Sequence, residues 1–454
     1  MMLPQGFIDS ISQYPALAPL SQWLLTEPDV SVRLNPHKPG SKSLSMTALG
    51  LDAAPVSPVP WCAEGFYLPE RPLFTADPQL HQGLYYVQDA SSMAITAAID
   101  AIAPAGKPLR YLDCCAAPGG KTTAAISHLP LGSLVVANEY DYKRAQILAE
   151  NLAKWGSPTA MATRGDTAAL QRLPGFFDIV AVDAPCSGEG MMRKDAKARE
   201  QWSPGLVSSC ASLQRSILSN AYAALRPGGH LIYSTCTFNR QENEENLQWL
   251  VDTFALTPVA IPALEAISEI EGAIGSPYPA YRFIPGKVKG EGLFMAVLQK
   301  DPEEASARCQ MAPSPGSDSK VPKEVSHWLT GDYTLRIIGS EVYAWPKALV
   351  RDMATVAAAL DAFMPGLHVA TIKGKDAVPA HELALSTALN RSALACAEVD
   401  CPTALTYLRR ESVAVDAPTG YVLLTYRGTP LGFVKNLGKR ANNLYPKNWR
   451  IRFS

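Results

Sequence analysis

Short apolar runs that alternate with helical segments are the strongest constraint on how this chain folds. Four runs have the length of buried strands: LRYLD (109–113), SLVVANE (133–139), FDIVAVD (177–183) and HLIYSTC (230–236). Apolar residues recur with helical spacing between these runs, in 121–128, 141–155, 206–225 and 240–254. Strands that alternate with helices predict a parallel sheet covered by helices on both faces. We therefore expect an α/β core.

The length of the chain predicts more than one folded unit. A chain of 454 residues exceeds the size of an ordinary single core. Residues 302–324 are rich in proline, serine and charged residues, which is typical of a linker. We therefore expect a separate C-terminal region after residue 324.

Composition and the N-terminal sequence exclude several classes of protein. Hydrophobic residues make up 47% of the chain and charged residues 18%, as in globular proteins. The sequence contains no run approaching the ~20 apolar residues that span a bilayer, and its start does not have the pattern of a secretory signal. Nine scattered cysteines favour reduced thiols. We expect a soluble, cytoplasmic protein.

The first predicted strand leads into a loop that is suited to a bound ligand. In DCCAAPGGKT (113–122), Gly119 and Gly120 allow the backbone to approach a ligand before a helix begins. The loop is one residue short of the G-x-x-x-x-G-K-[ST] phosphate loop. Cys115 stands where that loop needs its first glycine, and Pro118 lacks the N–H group that would contact phosphate. A P-loop ATPase is therefore an alternative that the residues disfavour.

Two acids follow the next two strands. Glu139 ends the second strand, and Asp166 follows a third apolar run, TAMATRGD (159–166). Ligands of open α/β sheets bind at the carboxyl ends of the strands, where Glu139 would accept hydrogen bonds from ribose hydroxyls and Asp166 from an adenine amino group. Each acid alone is equally typical of an ordinary turn. Together they favour a nucleoside cofactor.

Two cysteines end the fourth and fifth strands. Cys186 lies in DAPCSGEG (183–190) and Cys236 in STCT (234–237). A lone cysteine at a strand end is usually a small buried hydrophobe. Two cysteines that lie beside a nucleoside cofactor able to donate a methyl group indicate covalent catalysis instead.

Thiol chemistry of this kind fits methylation of cytosine at carbon 5. A thiolate that adds to carbon 6 makes carbon 5 able to attack an electrophilic methyl group. The reaction needs an activated thiol, a hydrogen bond at the ring edge and a second group for elimination. Asp183 is placed for the ring edge, and Lys121 is placed to position substrate or to favour the thiolate. These arguments do not decide which cysteine attacks.

The motifs resemble those of the Nop2/Sun family of RNA 5-methylcytosine methyltransferases, and within it the bacterial RsmF-like enzymes of small-subunit ribosomal RNA. The resemblance covers GLYYVQDASSM (83–93), DCCAAPGGKTT (113–123), DAPCSGEGMMRKD (183–195), LRPGGHLIYSTCTFNRQENE (225–244), RFIPGKVKGEGLFMAVL (282–298) and GFVKNLGKRANNLYP (432–446). Their order and spacing make the match specific. One departure is Cys114-Cys115, where relatives more often have small residues.

The resemblance implies roles for individual residues. Cys236 would be the nucleophile, and Cys186 would assist elimination and product release. S-adenosyl-L-methionine (SAM) would be the cofactor, and Asp183 would also contact the cytosine. The implied SAM pocket is lined by Cys115, Ala116, Ala117, Pro118, Gly119, Gly120, Lys121, Glu139, Asp166 and Asp183.

The resemblance also implies a domain organisation. The expected fold is a Rossmann-like class I SAM-dependent methyltransferase core with a small α+β N-terminal RNA module and a C-terminal PUA-like β-rich domain. SVRLNP (31–36) is similar to part of the family's ferredoxin-like RNA module. The expected boundaries are 1–82 for that module, 83–301 for the methyltransferase domain, 302–324 for the linker, 325–385 for an RsmF-type subdomain and 386–454 for the PUA-like domain.

The end of the chain is locally basic although the net charge is −1. From residue 427 onward it contains no acid, and its basic residues are Arg427, Lys435, Lys439, Arg440, Lys447, Arg450 and Arg452. The aromatic residues Tyr426, Phe433, Tyr445 and Trp449 are interleaved with them. Such a stripe is typical of phosphate contacts and base stacking, although a solvated face has a similar composition. The resemblance favours RNA, with Lys435, Lys439 and Arg440 as contacts.

Further residues complete the predicted interface with RNA. Arg193 and Lys194 follow the Cys186 loop and are candidates for phosphate contacts, whereas Trp202 is expected in the core. Cys396 and Cys401 lack partners at ligand spacing, so we expect no metal site.

The predicted function is therefore SAM-dependent methylation of carbon 5 of a cytosine in 16S rRNA or the 30S subunit by a monomer without membrane contact. The alternatives are a tRNA cytosine-5 methyltransferase, a P-loop-like ATPase and a non-catalytic ribosome-assembly factor.

Overall fold

The N-terminal part of the chain forms a small antiparallel sheet with short helices. The computed structural model describes residues 2–41, 57–305 and 307–452, so 42–56 of the predicted N-terminal module, 306 of the predicted linker and 453–454 lie outside the described residues. The elements are α1 (Gln5–Ser12), α2 (Leu20–Trp23), β1 (Val30–Leu34), β2 (Ser57–Val59), β3 (Cys62–Leu68), α3 (Pro78–His81) and β4 (Tyr85–Val87). The strand order is β2-β3-β1-β4.

The central domain contains the alternating strands and helices expected from the sequence. Its elements are α4 (Ile95–Ile102), β5 (Arg110–Asp113), α5 (Gly120–His128), β6 (Leu134–Glu139), α6 (Tyr142–Trp155), β7 (Ala160–Arg164), β8 (Phe177–Asp183), α7 (Ala196–Gln201), α8 (Pro204–Ala224), β9 (Leu225–Thr235), α9 (Glu244–Thr253), β10 (Leu256–Val259), α10 (Pro262–Glu265), β11 (Tyr281–Phe283) and β12 (Leu293–Lys300). The predicted Rossmann-like α/β fold is confirmed.

The order of the strands places a crevice beside β5. The sheet runs β10-β12-β9-β8-β5-β6-β7, and β5 to β9 pair in parallel. The chain leaves β5 toward β6 on one side and later returns to β8 on the other. This reversal is the topological switch point at which open α/β sheets bind ligands. These strands are buried on both sides, with an apolar core on each face of the sheet.

The C-terminal region forms two further sheets. Its elements are α11 (Lys323–His327), β13 (Tyr333–Ile338), β14 (Glu341–Pro346), α12 (Val350–Ala359), β15 (Ala362–Met364), β16 (Leu367–Lys373), β17 (Asp376–Pro379), α13 (His381–Leu385), β18 (Ala395–Glu398), α14 (Cys401–Leu408), β19 (Gly420–Tyr426), β20 (Thr429–Asn436) and β21 (Ala441–Asn443). The sheet orders are β13-β14-β16-β17 and β18-β19-β20-β21. The final sheet gives the β-rich C-terminal domain that was expected.

Part of the segment 325–385 belongs structurally to the central domain. β15 adds an antiparallel strand next to β7 at the edge of the central sheet. The apolar face of α12, including Val350, Met353 and Val356, packs in the same core as Leu112 and Val136 of that sheet. The segment is therefore joined to the central domain by a continuous apolar contact.

The N-terminal module contacts both of its neighbours through buried polar side chains. Lys38 donates to the Lys154 carbonyl at the end of α6 and to the Gln82 carbonyl. Gln82 Nε2 in turn donates to the carbonyls of Tyr426 and Thr429, at 3.0 and 2.7 Å. These bonds fix the C-terminal sheet to the module, and the module to the central domain.

A histidine between two carboxylates also holds the N-terminal module on the central domain. His128 of α5 lies 3.0 Å from Glu64 of β3 and 2.8 Å from Asp100 of α4. Burial alone would lower the pKa of His128, but the hydrogen bonds to Asp100 and Glu64 outweigh it and raise the pKa to about 9. His128 is therefore a cation at neutral pH.

We expect this contact to make stability depend on pH in the alkaline range. A folded-state pKa above the ordinary value of 6.5 means that the stabilisation is complete below pH 6.5 and is lost as the pH rises through about 9. Wild type should melt a few degrees above His128→Gln at pH 6, and this difference should vanish by pH 10. Melting curves of both proteins across this range test the expectation. A difference that does not change with pH would contradict it.

Within the described ranges, no helix is long and apolar enough to cross a membrane.

Candidate active site

The loops that follow β5, β8 and β9 meet at the carboxyl edge of the sheet. Cys186 follows β8 and Cys236 follows β9, and their Sγ atoms are 3.2 Å apart. Both residues are half-buried, and neither is in a disulfide. Neighbouring parallel strands thus bring together two thiols that are separated by 50 residues in the sequence.

Lys121 and Asp183 form an ion pair beside the two sulfurs. Lys121 Nζ is 2.8 Å from Asp183 Oδ2, and Ser234 Oγ donates to Asp183 Oδ1 at 2.8 Å. Burial alone would lower the pKa of Lys121, but the Asp183 carboxylate outweighs this effect and raises it. Cys236 contributes to the same shift, which places its sulfur within electrostatic reach of the ammonium group. The structure therefore brings together the four residues that the sequence predicted for catalysis.

The two thiols differ in their electrostatic environment. The contact with Cys236 and burial together raise the pKa of the Cys186 thiol well above its ordinary value. Cys186 therefore remains protonated near neutral pH and can donate its S–H group to the Cys236 sulfur. The two sulfurs are therefore in hydrogen-bond contact, with Cys186 as the donor.

Two buried glutamates hold the cysteine loops together. Glu189 Oε2 accepts from the N–H groups of Phe238 and Asn239, at 2.7 and 2.9 Å, and thereby joins the Cys186 loop to the Cys236 loop. Glu242 Oε2 accepts from the Ser187 N–H at 3.0 Å. Both residues lie within the sequence motifs, but the motifs alone predict no role for them. Their proximity to the cysteines in DAPCSGEG and TCTFNRQE was the available signal.

The loop after β5 has the backbone geometry required for close approach to a ligand. Gly119 has φ of +109°, in the left-handed region, and caps the N-terminus of α5. The Ala116 N–H donates to the Asn138 carbonyl at 2.9 Å, and the Asn138 side chain donates to the Cys114 carbonyl at 3.2 Å. These bonds fix the start of the loop to β6, and the first N–H groups of α5 have no partner within the helix.

Acidic side chains surround this loop. Glu139 is buried, and its carboxylate accepts from the N–H groups of Ala117 and Asp141, at 3.3 and 2.9 Å. Asp113, which is absent from the predicted site, ends β5 and accepts from the Thr122 hydroxyl at 2.7 Å. Its buried Oδ1 has no hydrogen-bond partner among the described residues, and burial raises its pKa to about 7.

The remaining predicted loop residues differ in exposure. Asp166 is exposed and accepts from the Ala168 N–H at 2.8 Å, so it caps a short 3-10 helix while facing solvent. Burial raises the pKa of the Cys114 and Cys115 thiols, so both remain neutral.

This site fits SAM better than it fits a nucleoside triphosphate. Lys121, which would contact phosphates in a P-loop, is held by Asp183 instead. The carboxylates of Glu139 and Asp183 border the loop, which suits a cationic cofactor and disfavours phosphates. The ATPase alternative therefore has no structural support.

Arg193 does not fit the phosphate contact that was predicted for it. Its side chain is 3% exposed, and its guanidinium donates to the carbonyls of Thr26, Glu27 and Gly290. It also pairs with Asp29 at 3.2 Å. The arginine therefore holds the N-terminal module on the central domain. Lys194 pairs with Glu291 at 3.3 Å, and its side chain is 37% exposed.

The basic and aromatic residues of the C-terminal tail separate in the structure. The charged groups of Lys439 and Arg440 lie in an exposed turn between β20 and β21, and Lys435 is half-buried. Tyr426, Phe433 and Tyr445 are buried in apolar cores, so the base stacking suggested by their spacing is wrong for these three residues. Alternation along strands β19 and β20 places the aromatic side chains inward.

The structure also bears on the sequence predictions for Trp202, Cys396 and Cys401. Trp202 lies in the core, as predicted, where it packs edge-on against Phe7 and donates to Glu189. In the part of the chain that the structure describes, no cluster of three or more His, Cys, Asp or Glu side chains could hold a metal ion.

Comparison with protein families identifies three matching regions. The family described as 16S rRNA methyltransferase RsmB/F matches residues 101–299. The N-terminal domain of 16S rRNA methyltransferase RsmF matches 3–90, and the methyltransferase RsmF PUA domain matches 395–451.

Curated relatives are similar along most of the chain. Ribosomal RNA small subunit methyltransferase F of Klebsiella pneumoniae (strain 342) is 32% identical over 418 residues, which cover 86% of this chain and 84% of the relative. The protein of the same name from Salmonella agona (strain SL483) is 32% identical over 412 residues, with the same coverage.

Solved structures share the fold of about two thirds of the chain. A methyltransferase homolog from Pyrococcus horikoshii has a TM-score of 0.54 and 26% identity, and covers 65% of this chain and 95% of its own. NSun6 from Pyrococcus horikoshii, solved with SFG, has a TM-score of 0.54 and 20% identity, and covers 66% of this chain and 99% of its own.

Proposed function

Since the chain belongs to the family of ribosomal RNA small subunit methyltransferase F, we propose that it transfers a methyl group from SAM to carbon 5 of a cytosine in 16S rRNA. The family supports the substrate RNA, and the chemistry of the site supports the position on the base. The observation that carries the proposal is the pair of sulfurs, 3.2 Å apart, beside the Lys121–Asp183 ion pair.

The two thiols suit a reaction that forms and then breaks a carbon–sulfur bond. Cys236 adds as a thiolate to carbon 6 of the cytosine, which makes carbon 5 nucleophilic. SAM, when bound, supplies the electrophilic methyl group to carbon 5. A base then removes the carbon-5 proton, and the Cys236 thiolate leaves as the carbon 5–carbon 6 double bond re-forms. Each turnover therefore exchanges one proton for one methyl group.

The raised pKa of Cys186 gives it a specific part in the last step. A protonated Cys186 at 3.2 Å donates a hydrogen bond to the departing Cys236 sulfur and lowers the barrier to its expulsion. In the first step the same S–H group stabilises the attacking thiolate.

Asp183 and Lys121 are proposed to bind the reacting base. Addition at carbon 6 moves electron density toward N3 and O2 of the ring, where a hydrogen-bond donor such as the Lys121 ammonium stabilises the transition state. The Asp183 side chain is 34% exposed and faces the crevice, and Ser234 and Lys121 fix its orientation. The cytosine must leave its stack to reach these groups.

The cofactor would be held by the loop after β5 and the acids beside it. The backbone of 115–121 would contact SAM, Glu139 would accept from its ribose, and Asp166 would accept from its adenine. Asp113 is added to this set because its unpartnered oxygen lies at the same edge of the sheet. RNA would be bound by Lys194 beside the site and by Lys435, Lys439 and Arg440 of the tail.

The proposal is tested by transfer of tritium from methyl-labelled SAM to naked 16S rRNA, assembled 30S subunits and tRNA. We expect label in rRNA or 30S subunits, and digestion of the RNA should release it as 5-methylcytidine. Label on another atom of cytosine would contradict the chemistry, and label in tRNA alone would contradict the substrate. If SAM binds and no RNA is labelled, the protein is a non-catalytic factor.

A further inference from the structure

Arg33 is a fully buried arginine between the N-terminal module and the helix that follows the cofactor loop. Its side chain is 0% exposed and extends from β1 toward α5. Nη2 donates to the Gly120 carbonyl at 3.2 Å and to Thr123 Oγ1 at 2.7 Å, and Nε donates to Gln88 Oε1 at 2.8 Å. The guanidinium carbon lies 4.6 Å from the centre of the Trp155 ring. Arg33 thus joins the module to the end of the loop.

Neighbouring side chains hold the other outward-facing carbonyls of this loop. The Pro118 carbonyl accepts from Tyr86 Oη at 3.2 Å and from Asn151 Nδ2 at 2.8 Å. The Ala117 carbonyl accepts from Arg144 Nη2 at 2.7 Å. Two of the residues that hold the loop, Arg33 and Tyr86, belong to the N-terminal module.

Holding these carbonyls also orients the N–H groups on the opposite side of the loop. Each peptide unit is planar, so its C=O and N–H groups point in opposite directions. The Gly120 carbonyl shares its plane with the Lys121 N–H, and the Ala117 carbonyl shares its plane with the Pro118 nitrogen. The bond from Arg33 therefore fixes the direction of a donor in the first turn of α5, where the N–H groups have no partner within the helix.

We propose that Arg33 is a positioning residue for the cofactor loop, so that the N-terminal module completes the SAM site. The inference rests on the proposed use of SAM. Among the described residues, no carboxylate lies within ion-pair distance of Arg33, so hydrogen bonds and the Trp155 ring are its direct contacts, and Glu64 acts on the cation only at longer range. A buried charge of this kind costs free energy that an apolar side chain would avoid. The contacts of Arg33 with the cofactor loop are a reason for a charged residue at this buried position.

This role differs from RNA binding, although 31–36 is similar to part of an RNA module. Arg33 and Asn35 both have 0% exposed side chains, so neither can meet RNA at the surface. Asn35 Nδ2 donates to the carbonyls of Gly83 and Trp155, both at 3.0 Å, and does not contact the loop. Asn35→Ala is therefore a matched control that weakens the same module contact without touching the cofactor loop.

The test measures SAM affinity, melting temperature and the kinetic constants of the full-length protein. We expect Arg33→Met to raise the Kd for SAM by about tenfold or more, since it removes several charge-assisted bonds. The KM for SAM should rise by a similar factor, with a smaller change in kcat. Arg33→Lys keeps the charge and should be intermediate. Asn35→Ala should lower the melting temperature while the Kd for SAM stays within about twofold.

Thr123→Val keeps the side-chain volume and removes both the acceptor of an Arg33 bond and the bond from the Thr123 hydroxyl to the Gly119 carbonyl. We expect a rise of about threefold in the Kd for SAM. Arg33→Lys, which keeps the buried charge, decides the question if Arg33→Met does not fold. An unchanged Kd in the folded Arg33 or Thr123 variants would overturn the inference while leaving the proposed function intact. Equal weakening by Asn35→Ala would also overturn it. A wild-type protein that does not bind SAM would reject the proposed function itself.

Discussion

Replacing Cys236 with alanine is expected to lower methyl transfer by about 10⁴-fold or more, to background. The variant lacks the sulfur that attacks carbon 6, so carbon 5 of the cytosine never becomes nucleophilic. SAM binding should be unchanged, because the residues of the cofactor loop lie after β5 and not after β9. Tritium transfer to the RNA substrate measures the loss, and titration with SAM measures the affinity.

Cys210→Ala provides the control for loss of a thiol in the same domain. Cys210 lies on α8 and is half-buried, like Cys236. This variant should retain methyl transfer close to the wild-type rate. Activity in Cys236→Ala above one hundredth of wild type would show that this cysteine is not the nucleophile.

Replacing Cys186 with alanine is expected to trap the protein on its RNA. The Cys236 thiolate can still add to the base, but its expulsion loses the hydrogen-bond donor that lies 3.2 Å away. The covalent complex should therefore accumulate in the presence of SAM, and turnover should fall by about 10²-fold or more. A slowly migrating band that contains both protein and labelled RNA on a denaturing gel detects the complex.

The double variant Cys186→Ala, Cys236→Ala is the control for this experiment. It should form no covalent complex, because the attacking sulfur is absent. A complex that forms in Cys236→Ala and not in Cys186→Ala would reverse the two roles. In that case Cys186 would be the nucleophile despite its raised pKa.

Local patterns in the sequence were sufficient to predict the central parallel sheet and the residues that meet at its edge. The strands at 110–113, 134–139 and 177–183 were visible as apolar runs because both faces of a central parallel strand are buried. Residues that directly follow such strands must lie at one edge of the sheet. The meeting of Lys121, Asp183, Cys186 and Cys236 follows from this rule.

Predictions about surface roles were less successful because exposure depends on distant parts of the chain. The sequence around Arg193 suggests a basic side chain that is free to bind phosphate. The carbonyls that it binds in the structure lie more than 160 residues away, at 26 and 27. The aromatic residues of the tail suggested surfaces for base stacking. In the structure, the packing of β19 and β20 buries Tyr426 and Phe433. The composition of a segment shows which side chains are present, but it does not show which of them are buried by other parts of the chain.

The sequence by itself determined the parallel sheet, the order of the loops along its edge and the chemical groups that meet there, because these features follow from neighbours along the chain. Only the tertiary structure decided that two thiols lie in contact, that Glu189 and Glu242 join their loops, and that Arg33 supports the cofactor loop from another module. These features are hydrogen bonds and contacts between segments far apart in sequence. Their geometry exists only once apolar burial has packed the elements together.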